Sequence, residues 1–240
     1  LFISSKWGYR YTAGWRRDAA VHEVKEHTLE RFLAQRAETH DLLGDHLTLY
    51  QVHSATLDSG LFAQPELLAA LATLRDEGVA IGLSVSGPAQ GETIKRALAV
   101  EFDGRRLFEA VQATWNLLER SAGPALAEAK AAGLLVIVKE GLANGRLTGR
   151  NEAADFAVQR QLLEREAARL ATTPDALALA IALDQPCVDI VLSGASTLAQ
   201  LASNLAATRV AVDSAAHAAL EPLAEQPALY WTTRAALPWT

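Results

Sequence analysis

Six short apolar runs punctuate the chain, at Leu1 to Ser4, Leu47 to Val52, Val79 to Val85, Phe108 to Val111, Leu134 to Val138 and Val188 to Leu192. Their lengths and branched residues predict strands buried on both faces, as in a parallel sheet. The intervals carry helical spacing. Leu29, Phe32, Leu33 and Ala37 form one apolar stripe. Pro65 is placed to start a helix whose Leu67, Leu68, Leu71 and Leu74 face inward, with Gly78 to end it. Pro124 to Ala132 repeats that arrangement ahead of Gly133. Thr173-Pro174 reads as an N-cap and first turn, followed by Leu177, Ala180, Ile181 and Leu183. Asp213, Ala216, Leu220 and Leu223 suggest an extra helix, and residues from about 214 to 240 end in a tail carrying Trp231 and Trp239. Gly60, Gly91 and Gly104 read as turns. Strands alternating with helices, without a long linker, predict one α/β domain over residues 1–240. Periodicity alone leaves a doubly wound sheet and a (β/α) barrel both open.

The residues just past the runs carry more information than the runs. They are Lys6, His53, Ser84 to Ser86, Gln112, Lys139-Glu140 and Ser193-Gly194. In a barrel of parallel strands the chemistry sits at the carboxyl ends, supplied by several strands together. Any one of these residues reads as well as a solvated loop start. Six coincident polar edges favour a site, because unpaired burial of such groups costs several kcal/mol.

Composition narrows the partners. A formal charge of −6 and scattered basic pairs (Arg16-Arg17, Lys95-Arg96, Arg105-Arg106) argue against nucleic acid. A single cysteine, Cys187, fits a reducing cytoplasm. No apolar run approaches the roughly 20 residues of a membrane span, and no signal peptide opens the chain. The histidines include no H-E-x-x-H pair and no acid cluster has metal-ligand spacing, so no metal is expected. The chain contains no methionine and opens on Leu1-Phe2-Ile3-Ser4-Ser5, read as a buried strand already in progress. The expectation is the body of a longer protein.

Ile3-Ser4-Ser5-Lys6-Trp7-Gly8, Leu49-Tyr50-Gln51-Val52-His53 and Ile81-Gly82-Leu83-Ser84 resemble three successive strand ends of the aldo-keto reductases. So do Gln112-Ala113-Thr114-Trp115-Asn116-Leu117-Leu118-Glu119-Arg120 and Leu142-Ala143-Asn144-Gly145-Arg146-Leu147-Thr148-Gly149. The last is Ser193-Gly194-Ala195-Ser196-Thr197 with Gln200 and Asn204. Six collinear motifs imply a parallel (β/α)8 TIM-type barrel whose first two strand–helix units are missing from this chain. They imply an NAD(P)H-dependent oxidoreductase that reduces aldehydes or ketones, or oxidises the alcohols. The family uses a tyrosine as proton donor, a lysine lowering its pKa, an aspartate paired with the lysine, and a histidine orienting the carbonyl oxygen. Lys6 matches the lysine and His53 the histidine; the aspartate and tyrosine belong to a segment before the lysine strand that is absent here, so the 240 residues alone are expected to be inactive. Trp7 is assigned to the substrate, and Tyr9 and Tyr11 at best to a substrate loop.

For NADP or NAD, the resemblance implies that Ser84 and Gln112 meet the nicotinamide carboxamide, whose amide needs a donor and an acceptor. Val85 stands where many members have asparagine. Lys139 replaces an aromatic ring stacked on nicotinamide, with Glu140 to hold its ammonium. Leu142 opens a glycine-containing loop suited to close approach of backbone N–H groups to a pyrophosphate. Ser196 and Thr197 begin a helix whose N-terminus suits phosphate. Gly194 and Gln200 occupy positions that are often lysine and arginine, so a 2′-phosphate would turn to Arg146 or Arg150, and Asn204 matches an adenine contact. Two other functions fit some of the same residues: a Schiff-base lyase using Lys6 or Lys139, and a non-catalytic nucleotide-binding barrel.

Overall fold

The computed structural model describes residues 1–16 and 18–237; Arg17 and Trp239 lie outside the described residues. The chain runs through β1 (Ser4–Trp7), a hairpin of β2 (Tyr9–Tyr11) and β3 (Glu23–Lys25), α1 (Leu29–Leu43), β4 (Leu49–Ala55), α2 (Pro65–Asp76), β5 (Ala80–Val85) and α3 (Gln90–Leu98). A second hairpin, β6 (Glu101–Phe102) and β7 (Arg105–Arg106), precedes β8 (Ala110–Thr114), α4 (Gly123–Ala131) and β9 (Leu135–Lys139). Then follow α5 (Ala157–Arg169), α6 (Pro174–Leu183), β10 (Ile190–Val191), α7 (Leu198–Ala206), α8 (Ser214–Leu220) and α9 (Pro227–Ala236). The strand–helix alternation read from periodicity is present, and six strands form one sheet in the order β1-β4-β5-β8-β9-β10.

Two compact units divide the chain: residues 1–112 with 128–135, and residues 113–127 with 136–237. In the first, β1, β4, β5 and β8 pair in parallel and register the side chains in rows. Lys6 pairs with Gln51, Gln51 with Gly82 and Gly82 with Ala110. One residue further on, Trp7, Val52, Leu83 and Val111 form the next row. Successive side chains point to opposite faces of a sheet, so the second row faces the helices. Trp7 packs edge-on against Phe32 of α1, with ring centroids 5.1 Å apart. Gly82 lies on the other face, where a Cβ would come within 3.0 Å of Gln51 Cγ and Leu49 Cδ1 and 3.2 Å of Ala110 Cβ.

The second unit is built around α6, which is apolar on all sides after Asp175 in its first turn. Ala176 to Ala182 are all buried, each leucine contributing about 2 kcal/mol. Thr173 caps the helix by accepting from Ala176 N–H, and Pro174 occupies its first turn. Leu179 and Ala180 pack with Ala207, Leu142, Val191, Val210 and Val212.

Three features differ from the sequence reading. The first strand begins at Ser4, not Leu1: Leu1 and Phe2 are exposed, and the pairing starts where Ile3 C=O accepts from Thr48 and Leu49 N–H at 2.8 and 3.1 Å. Gly91 lies inside α3 instead of in a turn. That helix carries few apolar residues and buries Gln90 and Thr93 beside Ile94 and Ala97, which hides it from a hydrophobic count. The segment carrying Trp231 is a helix, α9, started by Pro227.

Candidate active site

One polar face of the first unit carries Lys6, Ser84 and Gln112 from the predicted strand ends, with His53 at the adjoining end. Because rows two apart share a face, Lys6 and Gln51 lie on the same side as Ser84 and Gln112, which are register partners on β5 and β8. His53 follows Val52 on β4, at the point where the β4–β5 register shifts. Ser84 and Gln112 are buried. Ser84 Oγ accepts from Ser54 N–H at 2.8 Å, so its own proton is left to donate elsewhere. Gln51, part of a strand-end motif but given no role by the sequence, is buried and donates from Nε2 to Ser4 Oγ at 2.8 Å.

Lys6 is half-buried, and burial pulls its ammonium below the ordinary lysine value. Among the described residues no carboxylate pairs with it. Trp7, assigned to substrate by resemblance, is 1% exposed and packs against Phe32 and His27. Tyr9 sets its ring edge-on to His53, centroids 4.8 Å apart. Gln35 of α1 fixes the turn between Trp7 and Tyr9: its Oε1 accepts from Gly8 N–H at 2.8 Å and its Nε2 donates to Tyr9 C=O at 3.1 Å. Gly8 has φ +115°, and a Cβ there would fall 2.6 Å from the His27 ring, so no larger residue fits. His27 is buried, and burial keeps its ring neutral by lowering its pKa.

The second unit holds Lys139, Leu142, Gly194, Ser196, Thr197, Gln200 and Asn204. The Lys139 side chain is only 15% exposed. Its Nζ donates to Thr114 Oγ1 at 2.8 Å, meets Glu140 Oε1 at 3.5 Å and lies 5.7 Å from the Trp231 ring centre. Burial pushes Glu140 up, but hydrogen bonds from Arg234 and the charges of Lys139 and Arg234 outweigh it and hold the carboxyl below its usual range. Tyr230 O–H faces Asn116 at 3.0 Å and Glu140 at 3.4 Å.

Leu142 packs into the α6 core cluster. Gly194 adopts φ +63° in open space. Thr197 and Gln200 make a reciprocal capping box at the start of α7. In it Gln200 Oε1 accepts from Ser196 and Thr197 N–H at 2.8 and 3.2 Å, and from Ser196 Oγ at 2.9 Å. Asn204 Nδ2 donates to Ser193 C=O and Oγ, both at 2.9 Å. Arg146 is committed to Glu225 at 3.0 Å and lies over Phe156 and Tyr230. Arg150 remains exposed. Among the described residues no group of His, Cys, Asp and Glu could hold a metal, and no helix is long and apolar enough to cross a membrane.

A parallel α/β scaffold carrying lysine, histidine, serine and glutamine on one face near its strand ends is an enzyme scaffold of the barrel class. Residues 1–225 match the model of the Aldo/keto reductase family, and the chain belongs to that family. Its fold is similar to the holo form of aldo-keto reductase AKR11C1 from Bacillus halodurans, at 23% identity and TM-score 0.73, covering 94% of this chain and 74% of that one. It is similar to glycerol dehydrogenase AKR11B4 from Gluconobacter oxydans at 17% identity and TM-score 0.68, covering 92% and 71%. The thermostable aldo-keto reductase Tm1743 matches at 21% identity and TM-score 0.64, covering 93% and 71%. At these identities the likeness is one of fold. No curated protein sequence matches the chain. Family membership makes it an oxidoreductase, and the doubly wound alternative falls away.

Sequence reasoning missed His27, Gln35 and Gln51, which shape the first-unit face, and Asn116, Tyr230 and Arg234, which surround Glu140. His27 stands directly before the Thr28 N-cap of α1, a position with no chemical signature of its own.

Proposed function

We propose that the full-length protein, with Lys6 and His53 in its active site, reduces aldehydes or ketones with NAD(P)H, or oxidises the corresponding alcohols, as a cytoplasmic enzyme. The observation that carries this reading is the shared face of Lys6, Ser84 and Gln112, with His53 at the adjoining strand end. The residues fit a nicotinamide. A buried hydroxyl with a free proton and a buried amide stand in register, and a carboxamide needs one donor and one acceptor. Ser84 and Gln112 would hold that carboxamide. Leu142, Ser196, Thr197 and Asn204 are assigned to the rest of the cofactor by resemblance, with Lys139, Gly194 and Gln200.

When bound, the cofactor supplies or accepts the hydride. The chain's own residues then govern the oxygen of the substrate. His53 orients the carbonyl oxygen by hydrogen bonding. Lys6 would place a positive charge beside the tyrosine that the resemblance implies as proton donor, and favour its ionised form. The 2′-phosphate of NADP wants a cation. With Arg146 tied to Glu225 and neutral residues at 194 and 200, Arg150 is the remaining predicted cation, so both cofactors are accepted without strong discrimination.

The test is to titrate the full-length protein with NADH and NADPH by fluorescence and to follow oxidation with a small aldehyde such as nitrobenzaldehyde. Saturable binding below millimolar concentration with turnover supports the reading; a folded protein that binds neither cofactor overturns it. One observation favours a second reading, in which Lys6 condenses with a carbonyl to form an imine and water: its half-buried amine has a lowered pKa and no carboxylate partner among the described residues. Borohydride trapping of a carbonyl ligand on Lys6 separates the two.

A further inference from the structure

The peptide unit joining His53 to Ser54 is gripped from both sides. Its carbonyl oxygen meets His27 Nε2 at 2.8 Å, and its N–H donates to Ser84 Oγ at 2.8 Å. A carbonyl only accepts, so the His27 proton sits on Nε2 and Nδ1 bears the lone pair. That Nδ1 is buried and has no hydrogen-bond partner among the described residues. His27 therefore spends its ring on one polar contact, the His53 carbonyl, and leaves the other nitrogen unsatisfied at some cost. The ring is itself held in place. Trp7 packs edge-on to it at 5.9 Å, Gly8 leaves room for it, and Gln64 Nε2 donates to the His27 carbonyl at 2.7 Å.

The gripped peptide is a strained one. Ser54 has φ +54°, a left-handed conformation that non-glycine residues rarely adopt. The β4–β5 register shifts between Val52 and Ala55, across the same peptide. Such backbone persists only where its surroundings over-determine it. With β4 paired on one side of His53 and the 53–54 peptide fixed on the other, the Cα–Cβ direction of His53 has nowhere to go. Tyr9 bounds the imidazole that results, ring centroids 4.8 Å apart.

We propose that His27 is a positioning residue. Together with Ser84 it clamps the 53–54 peptide, aims the His53 imidazole, and ties that aim to the serine assigned to the cofactor. The catalytic consequence rests on His53 orienting the substrate carbonyl, whereas the clamp itself does not.

The experiment compares His27→Phe, which keeps a ring and removes the donor, with His27→Gln, which returns an N–H donor. Two readouts are followed: steady-state kinetics with an aldehyde, and the His53 imidazole resonance, assigned by its loss in His53→Asn. In His27→Phe, kcat is expected to fall about tenfold to a hundredfold, the scale of a small misplacement, at unchanged cofactor KM. The His53 resonance shifts in the same variant, and His27→Gln restores most of both. Ser84→Ala releases the other jaw and moves the same resonance, which keeps the test intact should His27→Phe fail to fold. A His53 resonance unmoved in folded His27→Phe or Ser84→Ala overturns the clamp. If the wild-type chain neither binds nor oxidises NAD(P)H, the reductase reading fails instead, and the resonance alone decides the clamp.

Discussion

Arg234, in α9, closes a two-armed ion pair on Glu140, the residue that follows β9. Its Nε reaches Oε1 and Oε2 at 2.9 and 3.0 Å, and Nη2 reaches Oε1 at 2.6 Å. The same guanidinium lies over the Trp231 ring at 5.4 Å. Glu140 is only 12% exposed and sits at φ +57°, so α9 is fastened to a strained residue at a strand end. Helix, ion pair and ring contact form one assembly within the second unit.

Replacing Arg234 by Met removes the charge and leaves Glu140 partly buried without its bidentate partner. Arg234 itself is 38% exposed, so solvent screening trims the loss to about 1–2 kcal/mol. The urea midpoint should drop with little change in slope, and Trp231 emission should shift to the red as α9 loosens. An unmoved midpoint would mean that the helix is held by its apolar face alone.

Glu140 also gives the second unit an acid limit. Its folded pKa lies below the ordinary glutamate value, so the unfolded chain binds more protons in the interval between the two. Stability from this group is complete above about pH 5 and is lost as pH falls through the folded value. In Glu140→Gln that part of the acid limb should disappear. Melting temperatures measured from pH 6 down to pH 3 check it: parallel curves for wild type and variant refute the assignment.

Gly82→Ala tests the close packing of the polar face. The added methyl meets Gln51 Cγ and Leu49 Cδ1 at 3.0 Å and Ala110 Cβ at 3.2 Å. Ala110 sits on β8 and cannot give way without moving that strand. Overpacking of this kind costs about 1–3 kcal/mol, read as a lower denaturation midpoint. Restoring the midpoint with a second change, Gln51→Ala, would identify which neighbour resists.

Lys6→Met separates stability from chemistry. The ammonium is half-buried, and no carboxylate pairs with it among the described residues, so the apolar replacement should melt at the same temperature as wild type or higher. On the proposed reading kcat falls on the order of 10²-fold, the scale of acid–base groups, while cofactor KM holds. Full activity in a folded Lys6→Met variant assigns proton management to another residue.

Much of this arrangement was legible beforehand, for identifiable reasons. Branched apolar runs such as Val79 to Val85 have few alternatives to a buried strand. Thr173-Pro174 and Pro65 announce helix starts through local backbone chemistry that needs no tertiary partner. Leu1 and Phe2 misled because an apolar residue signals burial only where something stands to cover it. Gly91 misled because α3 is held by the burial of Gln90 and Thr93, which no hydrophobic pattern registers.

The sequence by itself determined the alternation of strands and helices, the polar residues at the strand ends and, through the order of its motifs, the family. Those properties are local or collinear, and each residue carries them wherever it lies. Only the tertiary structure decided which of the polar residues share a face, because register sets that by single-residue steps. It decided that Arg146 is spent on Glu225 and that Lys139 rests against Trp231. It also brought His27 to the His53 carbonyl across 26 residues. A hydrogen bond to a backbone carbonyl depends on position and not on the identity of the accepting side chain, so nothing in the sequence marks it.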